Sequence, residues 1–141
     1  MGDPARTFSL LMMITIFSAL NLIAGSIALH DCAGVDNAKC GNQIWAVVCA
    51  SISILTCILF MVIIKIKPEF EESVSPWLSG FLALWWSAGA GVMTFDGPFV
   101  GTGNGYFSAW GAFFLSWYYA SQSIAQVNAL VETGKAEYAA M

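Results

Sequence analysis

The chain has 141 residues and a formal net charge of −4, with 58% hydrophobic and only 10% charged residues. Soluble domains average about 25% charged residues, and a chain this short has too much surface to bury so much apolar material within itself. The composition therefore excludes an ordinary soluble domain and indicates that lipid covers the apolar surface. We treat residues 1–141 as one membrane domain, since the length suits a single domain.

Four long stretches lack charged side chains, and they indicate four membrane spans at residues 8–29, 44–64, 77–95 and 106–126. Each charge-free gap exceeds the roughly 20 residues with which a helix crosses the hydrocarbon core. A soluble bundle would need a polar face on every helix, which these stretches do not have. We therefore predict an all-α fold, an antiparallel four-helix bundle in a membrane.

The basic residues predict the orientation of this bundle. The side that carries both termini and the middle connection has Arg6, Lys65, Lys67 and Lys135, whereas the other side has only Lys39. Lysine and arginine are enriched on the cytoplasmic side of membrane proteins. Both termini are therefore expected to be cytoplasmic.

In span one, Asn21 is the strongest polar residue inside any of the four spans. Side-chain amides in membrane helices form hydrogen bonds to neighbouring helices. We expect Asn21 to have this structural role, and the alternative is that it lines a polar path.

The first connection, HDCAGVDNAKCGNQ at residues 30–43, contains two cysteines on the predicted non-cytoplasmic side. Disulfides form and persist on that side, so we predict a disulfide between Cys32 and Cys40. The alternative is a metal site made of both thiols with His30 and Asp31, but their spacing matches no standard zinc pattern.

Small residues recur every fourth position in three spans, and such stripes let helix backbones approach closely in lipid. We expect them to close the bundle. They are Cys49, Ser53 and Cys57 in span two, Ala83, Ser87 and Gly91 in span three, and Ser108, Ala112, Ser116 and Ala120 in span four.

Four aromatic residues lie deep within the spans: Trp85, Trp86, Trp117 and Tyr118. They could line a groove for lipid, sterol or pigment, or face a partner subunit, but packing within the bundle or contact with lipid is the favoured interpretation. We expect no cofactor, with a bound lipid or sterol as the open alternative.

The middle connection, KIKPEFEESVSPW at residues 65–77, is acidic after its two lysines and does not form a polybasic lipid-binding patch. Ser73 and Ser75 either cap span three or accept a phosphate. Span four is expected to continue as a helix to about Glu132, with Gly134 as its stop.

The Gly-rich connection before span four could be a phosphate cradle or a short hairpin loop. A dinucleotide fingerprint needs a preceding strand and a different glycine spacing, so we predict no nucleotide site. Gly101, Gly103 and Gly105 permit a tight turn, and Asn104 is placed to cap span four. Asp96 is solvated or caps the turn, and the alternative is that it surrounds a pore mouth in an oligomer.

Catalytic groupings are missing from the sequence. It has one histidine, neither an HExxH nor a CxxC motif, and no ionisable residue within the spans. Ionisable residues inside membranes mark proton and ion pathways, so a pump is disfavoured as well. We predict no enzyme, no metal site and no nucleic-acid partner.

Four spans, cytoplasmic termini, a first outer loop with cysteines and otherwise short loops resemble the topology of MARVEL-type tetraspan membrane proteins over the whole chain. The stretch TFDGPFVGTGNGYFSAWGAFFLSWYYA at residues 94–120 also resembles tetraspan proteins of algae and protists. The signatures of claudins, tetraspanins and light-harvesting proteins are absent. The MARVEL resemblance implies roles in membrane apposition, vesicle traffic or subdomain organisation, in the plasma membrane or an endomembrane rather than a thylakoid.

Three functional hypotheses follow. The first is a structural protein that organises the membrane through homo-oligomers or assembly with other membrane subunits. The second is an accessory subunit of a larger energy-converting complex, such as a photosynthetic one, or of a channel complex. The third is an oligomeric channel whose pore forms between protomers, with Asp96 and Asn21 near the path.

Overall fold

The computed structural model describes residues 4–34, 40–95 and 103–140, and within these ranges the chain is almost entirely helical. Helix α1 comprises Pro4–Ala33, α2 Gly41–Ile66, α3 Phe70–Phe95 and α4 Asn104–Ala140. No strand occurs in these ranges. The predicted all-α class is confirmed, and each predicted span lies inside one helix.

Three helices are long and apolar enough to cross a membrane, namely Ala5–Ala33, Gly41–Ile66 and Ser73–Phe95. Helix α4 is not among them, because serine, tyrosine, tryptophan and glutamine replace many of the aliphatic residues that fill α1 and α2. Length and composition thus identify the chain as a membrane protein, and the crossing by α4 stays a prediction.

Neighbouring helices run in opposite directions. Phe8 near the start of α1 faces Lys65 near the end of α2, whereas Gly25 farther along α1 faces Ala46 near the start of α2. Helix α1 packs against α2 and α4, and α3 packs against α4 and α2. One end of the helices carries Lys65 and is called the basic end; the other carries Cys32 and is called the disulfide end.

Two hydrophobic clusters fill the space between the helices. The cluster nearer the basic end is Leu10, Leu11, Ile14, Cys57, Ile64, Leu78, Leu82 and Tyr119. The cluster nearer the disulfide end is Ala46, Cys49, Trp86, Ala90, Met93, Ala109 and Ala112. The cluster nearer the basic end is mainly aliphatic, whereas the other combines small residues with Trp86 and Met93.

Two helix boundaries differ from the sequence-based expectation. Helix α3 begins at Phe70 and contains Pro76, and α4 continues through Gly134 to Ala140. Pro76 cannot donate a backbone hydrogen bond to the carbonyl of Glu72, but membrane helices tolerate this loss where neighbouring groups compensate. A glycine ends a helix only when its backbone becomes left-handed, and Gly134 has no such conformation.

Candidate functional site

A buried carboxylate lies where α3 begins. Glu71 is only 3% exposed, and its Oε1 accepts hydrogen bonds from Thr7 Oγ1 at 2.7 Å and from Ser75 Oγ at 3.0 Å. Ser75 Oγ in turn accepts a hydrogen bond from the Tyr119 hydroxyl at 2.8 Å. We call these four residues the Glu71 cluster, and it joins α1, α3 and α4 at the basic end.

Helix geometry explains why this carboxylate is stable inside the protein. Glu71 is in the first turn of α3, where the positive end of the helix dipole favours a negative charge. Hydrogen bonds to a charged group contribute about 1.5–3 kcal/mol each. The cluster therefore fixes the register of three helices near the predicted cytoplasmic surface.

Sequence reasoning missed Glu71 because it was grouped with the acidic residues of an exposed connection. The usable signal is spacing: Glu71, Ser75, Leu78 and Leu82 recur at three- and four-residue intervals, and all four are buried. Ser75 is therefore not a cap or an accessible phosphate acceptor in this structure. Ser73 is exposed, and its hydroxyl donates to the carbonyl of Phe70.

Serine hydroxyls and an indole connect three helices halfway along the protein. Trp86 is fully buried, and its Nε1 donates to Ser53 Oγ at 2.9 Å. Ser53 Oγ lies 2.8 Å from Ser18 Oγ, whose own bond to the carbonyl of Ile14 is 2.7 Å long. This chain of hydrogen bonds runs from α3 through α2 to α1.

Of the other three deep aromatic residues, one packs within the chain and two are exposed. Trp85 Nε1 donates to the carbonyl of Cys49 at 3.1 Å, and Trp117 Nε1 donates to Ser87 Oγ at 2.9 Å. Trp85 is half-buried, whereas Trp117 and Tyr118 are exposed. Trp85 and Trp86 therefore pack within the chain, while Trp117 and Tyr118 present apolar surface to whatever surrounds α4.

Asn21 connects α1 to the beginning of α4. Its Nδ2 donates to the carbonyl of Gly105 at 3.2 Å and to Ser108 Oγ at 3.3 Å, and the side chain is fully buried. Asn21 Oδ1 has no hydrogen-bond partner among the described residues. The contacts that the structure gives this residue are thus bonds between helices.

The small-residue stripes of α2 and α4 lie in the interior. All seven residues are buried: Cys49, Ser53, Cys57, Ser108, Ala112, Ser116 and Ala120. In the stripe of α3, Ala83 is buried and Ser87 is half-buried, but a Cβ atom on Gly91 would meet nothing within 4 Å. Gly91 therefore does not mark a close helix contact.

Close approach occurs instead at one glycine for each of three helix pairs. A Cβ atom built on Gly25 would lie 3.2 Å from Ala46 Cβ, and one on Gly89 would lie 2.6 Å from Cys49 Sγ. A Cβ atom on Gly111 would lie 2.7 Å from the ring of Phe17. A side chain at Gly89 or Gly111 would require a neighbouring side chain to shift, and one at Gly25 would need only a small adjustment.

The predicted disulfide is confirmed. The sulfur atoms of Cys32 and Cys40 are 2.08 Å apart, and the two Cα atoms are 6.0 Å apart. Within residues 4–34, 40–95 and 103–140, no group of three or more histidine, cysteine or acidic residues could hold a metal ion. The thiols proposed for the alternative metal site are thus used in the disulfide.

Thiol labelling of the native protein without a reductant is expected to leave Cys32 and Cys40 unmodified, because both sulfurs are oxidised. Cys49 and Cys57 are free but buried, so they should react only after unfolding. Mass spectrometry before and after reduction distinguishes the two pairs, and labelling of Cys32 without a reductant would contradict the assignment.

The Gly-rich connection is described only in part. Asp96 and Gly101 lie outside the described residues. Gly103 is exposed and its carbonyl accepts a hydrogen bond from the amide of Phe107, whereas Gly105 is buried. Asn104 begins α4, and the capping role of its side chain stays a prediction.

Comparison with protein-family models, curated proteins and solved structures gave no match to this chain.

Proposed function

We propose that this protein is a non-enzymatic, multi-pass membrane protein that organises the membrane by associating with copies of itself or with other membrane subunits. It forms an antiparallel four-helix bundle with the topology of a MARVEL-type tetraspan protein. The observation that carries this proposal is the distribution of polarity: apolar side chains cover the outside of the helices, and polar side chains face one another inside.

The outer surface of the described helices is rich in large apolar side chains. On α1 and α2 it is aliphatic, with Met12, Ile16, Leu20, Ile23, Ile27, Val48, Leu55, Leu59 and Val62 exposed. The polar residues Ser18, Asn21, Ser53 and Glu71 are buried. Water is a poor solvent for such a surface, and lipid covers it without cost.

The charges at the basic end support cytoplasmic termini. Arg6, Lys65 and Lys67 lie at this end, and the Arg6 guanidinium donates to Gln122 Oε1 at 2.6 Å. Lys65 Nζ lies 5.2 Å from the centre of the Phe8 ring. Flexible cationic side chains at the end of a span reach toward the headgroup region, and their excess marks the cytoplasmic side.

Association with a partner is proposed to occur through α4. Its outward side carries the exposed aromatic residues Phe107, Phe114, Trp117 and Tyr118. Large aromatic side chains are enriched at the centres of protein interfaces, and the outward sides of α1 and α2 are aliphatic instead. The small-residue stripes of α2 and α4 are buried within the chain, so they are not available for this contact.

An accessory role in a larger complex would use the same aromatic side of α4. A pore would have to lie between chains, because the fully buried Leu11, Ile14 and Leu82 occupy the interior of this one. The accessory role differs from self-association in what copurifies with the protein, whereas an oligomeric channel would also contain several copies of this chain.

The mass of the gently solubilised native particle, with its subunits identified, tests the proposal. We expect a particle that contains several copies of this chain. The triple replacement Phe107→Ala, Phe114→Ala and Tyr118→Ala should reduce its mass, because these side chains form the contact.

A matched control replaces three exposed aliphatic residues of α2, with Leu55→Ala, Leu59→Ala and Val62→Ala, and it should leave the mass unchanged. A native particle with the mass of one chain would contradict the proposal. A particle of many different chains would assign the accessory role instead.

A further inference from the structure

A groove opens between α3 and α4, next to the Glu71 cluster. Its volume is about 330 Å³, within the range of about 300–1,000 Å³ for small-molecule sites. The residues that line it are Pro76, Ser79, Gly80, Ala120, Ser123 and Ile124.

Small side chains account for the space in this groove. Gly80 and Ala120 come from opposite walls, and a Cβ atom on Gly80 would meet nothing within 4 Å. The helices do not close over this space, although they approach closely elsewhere. The result is an open groove with small side chains on both walls.

One polar side chain in the groove has a hydroxyl without a hydrogen-bond partner among the described residues. Ser123 is only 3% exposed and lines the groove, and in the part of the chain that the structure describes it has no hydrogen-bond partner. Ser79 is also buried there, and its hydroxyl donates to the carbonyl of Pro76 at 3.3 Å. A hydroxyl that faces an apolar groove without a partner is energetically unfavourable, so an occupant with one polar group suits this site.

We propose that this groove binds a sterol, with the hydroxyl of the sterol bonded to Ser123. Among the side chains that the structure describes, those that line the groove carry no charge, so a neutral polar group suits it better than the charged headgroup of a phospholipid. A rigid, flat ring system matches walls formed by Gly80, Ala120 and the ring of Pro76. Its position near the basic end places the hydroxyl of the sterol at the membrane interface.

A second groove, between α1 and α2, differs from the first because a charged residue lines it. Its volume is about 450 Å³, and Lys65 lines it together with Ala5, Phe8, Ile64 and Pro68. A lysine suits an anionic group, whereas the described polar residues of the groove between α3 and α4 are the serines Ser79 and Ser123. The sterol site rests on the proposed residence of the protein in a membrane, but not on self-association, so the two proposals can fail separately.

The test is photolabelling of the full-length protein in phosphatidylcholine vesicles with a diazirine analogue of cholesterol. We expect saturable labelling of residues 76–80 and 120–124, with competition by unlabelled cholesterol but not by cholestane, which lacks the hydroxyl. Non-saturable labelling, labelling confined to other helices, or equal competition by cholestane would overturn the proposal.

Two variants and one control sharpen this experiment. Gly80→Leu fills the groove and should abolish saturable labelling, and Ser123→Ala should weaken it about fivefold, the loss expected for one hydrogen bond of about 1 kcal/mol. Gly91→Leu is the control, because it lies on the same helix and is equally open but does not line the groove. If Gly80→Leu does not fold, unchanged labelling of Ser123→Ala still overturns the proposal.

Discussion

Trp86→Ala is expected to lower the free energy of unfolding by about 3–5 kcal/mol, the range for removal of a buried aromatic side chain. Trp86 is fully buried in the cluster nearer the disulfide end. Its loss leaves a cavity that Ala46, Cys49 and Ala90 are too small to fill. An unfolding titration with SDS in mixed micelles, followed by near-UV circular dichroism, measures the change.

Trp86→Phe separates packing from hydrogen bonding at the same position. The ring remains, but the bond from Nε1 to Ser53 Oγ is lost. Hydrogen bonds between membrane helices contribute about 0.6 kcal/mol on average, so we expect a much smaller loss than with alanine. Trp77 is 83% exposed, and Trp77→Ala should have little effect on stability. Equal losses for Trp86→Ala and Trp77→Ala would show that Trp86 is not packed as described.

Gly89→Ala is expected to destabilise the contact between α2 and α3 by about 1–3 kcal/mol, the usual cost of inserting a methyl group into a packed core. The added Cβ would lie 2.6 Å from Cys49 Sγ, and Cys49 is fully buried, so either its side chain or a helix must shift. The same SDS titration measures the loss.

Cys49→Ala provides the rescue experiment, because it removes the sulfur atom that the new methyl group would meet. The double variant Gly89→Ala with Cys49→Ala should be more stable than the sum of the two single losses predicts, since residues in contact couple. Gly91→Ala is the matched control and should be nearly neutral. Additive losses in the double variant would show that the close approach of α2 and α3 lies elsewhere.

Tight packing at Gly89 and open space at Gly80 occur on the same helix and have different consequences. At Gly89 the sulfur atom of Cys49 occupies the space where a side chain would lie, so the glycine contributes to stability. At Gly80 the missing side chain leaves room beside Ser123, so the position is available to a ligand. Substitutions at the two glycines should therefore affect different properties, folding in one case and sterol labelling in the other.

Several features of this protein followed from the sequence because each depends on local composition. The charge-free stretches predicted all four helices. An apolar segment in lipid must satisfy its backbone hydrogen bonds within itself, and a helix does so. The pairing of Cys32 with Cys40 followed from their place in one connection on the predicted non-cytoplasmic side. The helices themselves proved longer than the spans, because charged and polar residues such as Arg6 and Glu71 extend a helix beyond the apolar core.

The tertiary structure alone decided which polar residues meet inside the protein. Thr7, Glu71 and Tyr119 are 64 and 48 positions apart along the chain, and only the antiparallel arrangement brings them to one point. The same holds for Gly89, whose importance depends on the sulfur atom of another helix, and for Ser123, whose free hydroxyl depends on the space beside Gly80. Apolar periodicity is a property of one segment. Whether a carboxylate is buried, or whether a cavity forms, depends on the side chains that several segments bring together.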